Sequence, residues 1–280
     1  MNSNLGPTFP AGYWKTLFLL VTCLLVFSEQ AALANQETKR LKENVGVDEH
    51  LGETIDTGLE FQNHFGKTIT LAEYVKGDKP VIVTLNYYSC DTLCSVQLNS
   101  LLDGLKDLEW ISGEEFRTVT ISIDPDETAS LAGRKRANYL EQLGKKGAEW
   151  SFLVGEQTQI TEIAKGFGYR YFYDEKSKQY AHPAVIMILS PNGQISRYLY
   201  GLDYTSQDLK FALMEAAEGK IGTTLDRVIL SCFIYDNSTG KYTKDVRQLM
   251  KMAGLTTVFF LSLMVTVLWR KDLKDLKDLK

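Results

Sequence analysis

Two cysteines and one histidine have the residue types and spacing that could do chemistry in this chain of 280 residues. Cys90 and Cys94 are separated by three residues. His182 lies two residues before an apolar run at residues 184–189. On a helix, a spacing of i to i+4 puts both sulfurs on one side. Such a pair can form a disulfide, or it can offer two soft thiolate ligands to one metal ion. The alternative is a pair of buried thiols without reactivity.

An imidazole added to two thiolates changes which metal the set would suit. Two sulfurs and one nitrogen suit Cu(I), suit Cu(II) with a further ligand, and are tolerated by zinc. His182 is far from the cysteines in the sequence, however, and the chain has only three histidines. From spacing alone, an ordinary loop histidine is the simpler interpretation.

The segments around the cysteines predict a strand followed by a helix. Residues 80–88 form a β-branched apolar run typical of a buried strand, and apolar side chains recur with helical spacing over residues 92–108. Cys90 would then follow the strand, and Cys94 would lie in the first turn of the helix. Free N–H groups and a partial positive charge at a helix N-terminus favour a thiolate there.

The remaining periodicity predicts the fold that must position these residues. Further strands are predicted at residues 116–124, 184–189 and 194–200, and helices at 128–143, 156–167 and 206–218. This order of elements predicts an α/β, thioredoxin-like fold, in which helices flank a central mixed sheet. In such a sheet, the loop that carries His182 would lie beside the start of the cysteine-bearing helix.

Apolar runs near both ends predict targeting and membrane segments. Residues 17–27 are apolar and precede Ala32-Leu33-Ala34, which predicts a secretory signal over residues 1–34; an uncleaved anchor is the alternative. Residues 253–269 form a second apolar run, followed by Arg270 and Lys271. This pattern predicts a transmembrane helix with a cytoplasmic tail, residues 270–280, and a buried C-terminal helix is the alternative.

These signals place the domain between them outside the cytoplasm. We expect an N-terminal extension at residues 35–59, the thioredoxin-like domain that carries the cysteines and the histidine at 60–219, and a C-terminal extension at 220–252. The secretory signal and the basic C-terminal flank are typical of a protein of the bacterial cytoplasmic membrane, with its soluble domain on the periplasmic or extracellular side. A dithiol in that compartment tends to form a disulfide unless a reductant or a metal holds it. The formal charge of −4 gives no basic footprint for nucleic acid.

Three segments together resemble the core of the Sco/SenC family. They are NYYSCDTLCSVQL, SIDPDETASLAGRKRANYL and YAHPAVIMILSPNGQISRYLYG, and the similarity extends over residues 60–218. The resemblance implies a membrane-tethered, thioredoxin-like protein that binds a copper ion through Cys90, Cys94 and His182. It also implies a role in assembling the dinuclear copper site of cytochrome c oxidase, with the copper-bearing oxidase subunit as partner.

The sequence departs from the family pattern at three places near these residues. Asp91 stands where Pro often follows the first cysteine. The acidic segment after Asp124-Pro125 is one residue shorter than in mitochondrial members, and the sequence assigns no role to Asp126 or Glu127. Ala181 stands where many members carry Asp, so a carboxylate that would orient the imidazole is missing.

The leading hypothesis for function is a copper metallochaperone, which binds and transfers the metal rather than catalysing a reaction. The alternative is a thiol–disulfide oxidoreductase, in which Cys90 attacks and Cys94 resolves. Whether the protein is an enzyme therefore stays open, as do its client and oligomeric state. A peroxidase is disfavoured because no Thr-x-x-Cys motif or neighbouring Arg resembles a peroxide pocket.

The other histidines and a later cysteine have structural interpretations. His50 and His64 are predicted at the surface. Cys232 lies in a segment that resembles a C-terminal extension of some bacterial Sco-like proteins, and its thiol either packs as a small apolar group or serves as an accessory copper ligand.

Overall fold

The computed structural model describes residues 43–75, 77–89, 93–218, 233–236, 241–244, 250, 254–264 and 266, with the backbone alone at residues 93–95, 234–236, 241 and 243–244. The predicted signal at residues 1–34 and the predicted tail at 270–280 lie outside this part of the chain. The chain forms two compact units. The larger unit comprises Asp48–Gly168 and Ala184–Lys280, and the smaller unit comprises Met1–Val47 and Tyr169–Pro183.

The secondary structure alternates between strands and helices through the middle of the chain, as the periodicity predicts. In chain order the elements are β1 (Gly46–Val47), β2 (Glu60–Asn63), β3 (Thr68–Thr70), α1 (Ala72–Val75), β4 (Val81–Asn86), α2 (Leu93–Asp107), β5 (Arg117–Ser122), α3 (Ala129–Leu143), β6 (Ser151–Val154), α4 (Gln157–Gly166), β7 (Tyr169–Arg170), β8 (Phe172–Asp174), β9 (Gln179–Ala181), β10 (Val185–Leu189), β11 (Ile195–Tyr200), α5 (Ser206–Ala216), β12 (Phe233–Asp236) and β13 (Lys241–Lys244). Residues 254–264 form a further helix, α6.

A mixed sheet of seven strands is the centre of the larger unit. Its strand order is β11-β10-β4-β5-β6-β2-β3. The three strands β4, β5 and β6 are parallel, whereas β10 pairs antiparallel with both β4 and β11. The prediction of a central mixed sheet flanked by helices is therefore confirmed.

Both faces of this sheet are covered, which explains the appearance of its central strands in the sequence. Every residue of β4 and β10 is buried. On one face Val81 and Val83 line an apolar core with α1 and α4, whereas Ile82 belongs to the cluster formed with α2, α3 and α5. A strand buried on both faces has no polar side to alternate with. That is why residues 80–88 are mostly apolar, and the two polar residues among them, Thr84 and Asn86, are buried as well.

The smaller unit contains two short antiparallel pairs. Strand β1 pairs with β7, and β8 pairs with β9 as a hairpin. None of these four strands exceeds three residues, and none was predicted. Strands this short do not reveal a period in the sequence.

Part of the predicted C-terminal extension packs on α5 as a hairpin. Strands β12 and β13 pair antiparallel, and Tyr242 of β13 is buried. Its backbone N–H donates to a carboxylate oxygen of Asp208 at 3.0 Å, and its ring lies 5.4 Å from that of Phe211. Cys232, one residue before β12, lies outside the described residues.

The described part of the predicted transmembrane run is helical. It corresponds to α6, and residues 253, 265 and 267–269 of the predicted span lie outside the described residues. Within the described chain, none of the helices has both the length and the apolar character needed to cross a bilayer.

Candidate functional site

The backbone at Cys94 lies in the first turn of α2, as predicted. Strand β4 ends at Asn86, the chain continues through Tyr87, Tyr88 and Ser89, and α2 begins at Leu93. Cys90 lies outside the described residues, and the side chain of Cys94 is not described. The first N–H groups of α2 have no partner within the helix. A thiolate at this end of the helix is therefore favoured.

Helix α2 is held against the sheet by an apolar face and one buried amide. The apolar face consists of Leu98, Leu101, Leu102, Leu105 and Leu108, all buried. Gln97 is fully buried, and its Nε2 donates to the carbonyl oxygen of Val185 at 2.8 Å. This bond joins α2, less than one turn beyond Cys94, to the first residue of β10. The position of the cysteine-bearing helix is thus fixed along the sheet as well as against it.

The loop before Cys90 is anchored by the side chain of Tyr88. The ring is buried and lies 5.5 Å from the ring of Phe152. The hydroxyl oxygen is 2.6 Å from the carbonyl oxygen of Leu153 and 3.1 Å from that of Thr120. Burial raises the pKa of Tyr88 well above its usual value, and the neighbouring Glu127 carboxylate acts in the same direction. The phenol therefore stays protonated and serves as a donor that fixes the loop to β5 and β6.

The backbone of the same loop is held by the carboxylate of Glu127. Its Oε2 accepts from the N–H of Tyr88 at 2.8 Å, and its Oε1 accepts from the N–H of Ser89 at 2.6 Å. The hydroxyl of Ser89 donates to Oε1 at 2.8 Å, and the hydroxyl of Ser122 donates to Oε2 at 2.7 Å. Glu127 is only 9% exposed, so these four bonds compensate for the cost of burying its charge.

The sequence analysis assigned no role to Glu127, although its position next to a helix cap is a signal for one. Glu127 directly precedes Thr128, whose side chain accepts from the N–H of Leu131 and caps α3. The cap fixes where the acidic loop ends. In a loop one residue shorter than the family pattern, the longer side chain of Glu can recover the reach of an Asp. Asp126, the other acidic candidate, is exposed.

His182 is buried in the smaller unit, immediately after β9. Its Nδ1 lies 2.9 Å from the hydroxyl of Tyr169 and 3.1 Å from the carbonyl oxygen of Pro183. The Tyr169 hydroxyl is itself 3.1 Å from the same carbonyl. Burial lowers the pKa of His182, and the hydrogen bond with Pro183 partly offsets this shift. The imidazole is therefore neutral at pH 7, the form in which it can bind a metal.

These contacts indicate which ring nitrogen carries the hydrogen. A carbonyl oxygen can only accept, so its position near Nδ1 favours a hydrogen on Nδ1. The lone pair is then on Nε2, and the ring is oriented by its second nitrogen, an arrangement common among metal-binding histidines. The carboxylate that Ala181 lacks is thus replaced by the hydroxyl of Tyr169 and the carbonyl of Pro183.

The other two histidines have structural surroundings. Nδ1 of His50 lies 3.1 Å from the carbonyl oxygen of Gly166, and the imidazole is half-buried. The ring of His64 is tilted against that of Phe65, with centroids 4.2 Å apart, and burial lowers the pKa of His64, with Arg136 adding to the shift. Neither belongs to a cluster of ligands. Among the described side chains, there is no group of three or more His, Cys, Asp and Glu residues that could hold a metal ion.

Comparisons with known proteins agree with the fold and the segment pattern. No curated protein is significantly similar to the chain in sequence. A protein of Aquifex aeolicus VF5, provisionally described as an electron transfer protein, is 26% identical over 60% of this chain and 95% of its own, with a TM-score of 0.53. A second structure from that organism, described in similar terms, gives 26%, 61% and 99%, with a TM-score of 0.51. ScoI of Arabidopsis thaliana with copper bound is 19% identical over 60% of this chain and 98% of its own, with a TM-score of 0.46.

The family profile covers the elements described above. The SCO1/SenC profile matches residues 47–216, from the end of β1 to the end of α5. The matched region includes Cys90, Cys94 and His182, together with Glu127 and Tyr169. The resemblance found in the three sequence segments is therefore confirmed, and the chain belongs to the SCO1/SenC family.

Proposed function

We propose that the protein is a copper metallochaperone that delivers copper to the dinuclear copper site of cytochrome c oxidase, with Cys90, Cys94 and His182 as the copper ligands. The observation that carries the proposal is the state of His182. Its ring is buried and neutral, and its Nδ1 lies beside the Tyr169 hydroxyl and the Pro183 carbonyl, which favours a lone pair on Nε2. An ordinary loop histidine does not need this arrangement, and neither does a simple thiol–disulfide oxidoreductase.

The position of Cys94 supports the same proposal. The first turn of α2 favours the thiolate form, which is the form that binds copper. Two thiolates and a neutral imidazole are soft and intermediate ligands, and such a set holds Cu(I) while still allowing it to leave by ligand exchange with a similar site. Copper is here the cargo of the protein. The copper-bearing oxidase subunit would be the partner that accepts it.

The test is a copper titration against a competing chelator for His182→Ala, Cys90→Ser and Cys94→Ser. Loss of the imidazole should weaken copper binding by about 100-fold, which is roughly 3 kcal/mol. The matched control is His64→Ala, which removes a histidine outside the proposed ligand set and should leave the affinity unchanged. The disulfide of Cys90 and Cys94 should still form in His182→Ala, as shown by alkylation and mass spectrometry. An unchanged affinity in His182→Ala would exclude it as a ligand.

Oxidase activity in cells carrying the same variants separates the two functions. A chaperone loses oxidase assembly together with copper binding, so His182→Ala should fail as the cysteine variants do. An oxidoreductase would retain assembly in His182→Ala and lose it only in Cys90→Ser or Cys94→Ser. That second pattern would replace the chaperone by the thiol–disulfide reaction.

We further propose that the region from residue 253 to 269 anchors the domain in the bacterial cytoplasmic membrane, with the sheet domain on the periplasmic side. Support comes from the large apolar side chains of α6, which are 51–71% exposed and point in all directions: Leu255, Val258, Phe259, Phe260, Leu261, Leu263 and Met264. The hydroxyls of Ser262 and Thr266 donate to the carbonyl oxygens four residues earlier, which satisfies them within the helix. A lipid environment requires such internal bonds.

Protease added to spheroplasts tests this placement. It should digest the sheet domain and spare a tag attached after Lys280. Digestion of the tag with survival of the domain would reverse the orientation. Release of the intact protein without detergent would exclude the anchor.

A further inference from the structure

We propose that Glu127 is a positioning residue for the cysteine pair. Its carboxylate fixes the backbone directly before Cys90 and thereby raises the effective concentration of one thiol at the other. The inference rests on the proposed function only in taking Cys90 and Cys94 to act as a pair. It concerns the copper-free protein and does not depend on which metal is bound.

The set of donors around Glu127 requires a carboxylate. Each of its two oxygens accepts two hydrogen bonds, one from a backbone N–H and one from a serine hydroxyl. A carboxylate offers about four acceptor sites, whereas an amide offers acceptors at one end and donors at the other. Gln in this place would therefore keep half of the bonds and turn an NH₂ group toward the remaining donors. The shape of the side chain would be preserved, but the loop would be held less firmly.

The carboxylate acts on a loop that is already anchored by its neighbour. The side chain of Tyr88 is fixed to β5 and β6, and Glu127 fixes the backbone N–H groups of Tyr88 and Ser89. From Ser89, only the three residues 90–92 lead to the start of α2. The apolar face of this helix is packed against the sheet. A short connection between two fixed points has little freedom to separate the residues it carries. Fixing Tyr88 and Ser89 therefore limits how far the two cysteines can move apart.

This confinement affects the equilibrium between dithiol and disulfide. Forming the disulfide joins the two sulfurs and releases two electrons and two protons to an oxidant such as a glutathione disulfide, which becomes two glutathione thiols. The equilibrium favours the disulfide in proportion to the effective concentration of one thiol at the other. If the loop is freed, that concentration falls and the disulfide becomes easier to reduce. A purely structural role would lower the stability of both redox forms equally and leave their ratio unchanged.

The experiment is a redox titration of the copper-free full-length protein in detergent against glutathione buffers. We expect Glu127→Gln to make the reduction potential of the Cys90–Cys94 pair less negative by about 30 mV, the equivalent of a tenfold fall in effective concentration. Ser122→Ala, which removes one hydroxyl donor and leaves both backbone bonds, should shift the potential in the same direction by less. Asp126→Asn removes the same charge from the adjacent exposed position and should cause no shift. Hydrogen exchange at the amides of Tyr88 and Ser89 should accelerate in Glu127→Gln alone.

Two results would overturn the inference. One is an unchanged potential in Glu127→Gln although the two amides exchange faster, since the loop would then be freed without effect on the thiols. The other is an equal shift in Asp126→Asn, which would reveal a general effect of charge rather than of hydrogen bonding. If Glu127→Gln does not fold, Ser122→Ala decides by the presence or absence of its smaller shift. Copper binding by the wild-type protein is measured separately, so a failure of the proposed function would be recognised independently.

Discussion

The cysteine segment and the histidine segment are both fixed by side chains from elsewhere in the sequence, but in different ways. The loop before Cys90 is gripped by the charged carboxylate of Glu127 through four hydrogen bonds. His182 is oriented by the neutral hydroxyl of Tyr169 and a backbone carbonyl. Hydrogen bonds to a charged acceptor are roughly twice as strong as neutral ones. The loop before Cys90 is therefore held by strong hydrogen bonds to a charge, whereas the imidazole of His182 is held in a preferred tautomer by neutral groups.

The largest difference between the two segments should appear when each anchor is deleted. Glu127→Ala leaves two backbone N–H groups and two hydroxyls without their acceptor, and we expect the free energy of unfolding to fall by about 3 kcal/mol. Denaturant unfolding measures this loss in Glu127→Ala and in the control Asp126→Ala. Because Asp126 is exposed, its substitution should lower the free energy of unfolding by less than about 0.5 kcal/mol. Equal losses in both variants would mean that the grip on the loop contributes little.

A second variant asks whether helix packing also positions the cysteine segment. A Cβ atom added at Gly104, in the last turn of α2, would overlap the carbonyl oxygen of Tyr204 and approach Leu209. We therefore expect Gly104→Ala to destabilise the protein by about 2 kcal/mol, because α2 must move away from that loop. Gly166→Ala is the control, since nothing lies within 4 Å of its Cβ position. There the ordinary helix preference should stabilise the protein by about 0.5–1 kcal/mol. Stabilisation by both changes would contradict the close packing of α2.

Gly104 and Glu127 show which features of the fold could not be predicted from the sequence. Periodicity predicted β4 and α2 because strands and helices buried over many residues repeat their pattern. Helix propensity alone would favour Ala at position 104. The reason for Gly104 is the carbonyl of Tyr204, which comes from a loop a hundred residues later. The cap at Thr128 points to Glu127 in the sequence, but its role as an anchor could not be predicted, because its four donors belong to Tyr88, Ser89 and Ser122. Contacts between distant segments depend on the folded geometry, and a single sequence does not contain that geometry in readable form.

The same limit applies to the histidine segment. Only the resemblance to the Sco/SenC family, and not the residues themselves, predicted that His182 is a metal ligand. Spacing alone favoured an ordinary loop histidine at position 182, and the missing carboxylate at Ala181 argued against an oriented ring. Tyr169 supplies the orientation from β7, a strand of two residues that no period could predict. The ligand assignment for Cys90, Cys94 and His182 stays a prediction.

The neutral anchor of the histidine segment should give a smaller effect than Glu127. Tyr169→Phe removes one hydroxyl and keeps the ring, so we expect a loss of about 1 kcal/mol in the free energy of unfolding. Copper affinity should fall by about tenfold, because the tautomer of His182 is less strictly held. The control is Tyr173→Phe, an exposed tyrosine of the same unit, which should change neither quantity. A loss as large as that of Glu127→Ala would remove the contrast between the two segments.

The smallest expected effect is a dependence of stability on pH that belongs to the histidine segment. Burial lowers the pKa of His182 below its ordinary value of 6.5, so the folded protein resists a proton that the unfolded chain accepts. In the window between these two pKa values the unfolded state binds more protons, and stability therefore falls as the pH drops below about 6.5. His64 contributes in the same direction, because burial and Arg136 lower its pKa as well. The protection factors of amides near β7 and β9, which are corrected for the slower intrinsic exchange at lower pH, should fall between about pH 7.5 and pH 5.5, and His182→Gln should abolish this fall. His64→Gln, the matched control, should leave exchange at these strands unchanged while reducing the pH dependence of global unfolding. Protection factors near β9 that do not change with pH in the wild-type protein would mean that the imidazole of His182 accepts a proton without cost. The contrast with the cysteine segment would then rest on hydrogen-bond strength alone.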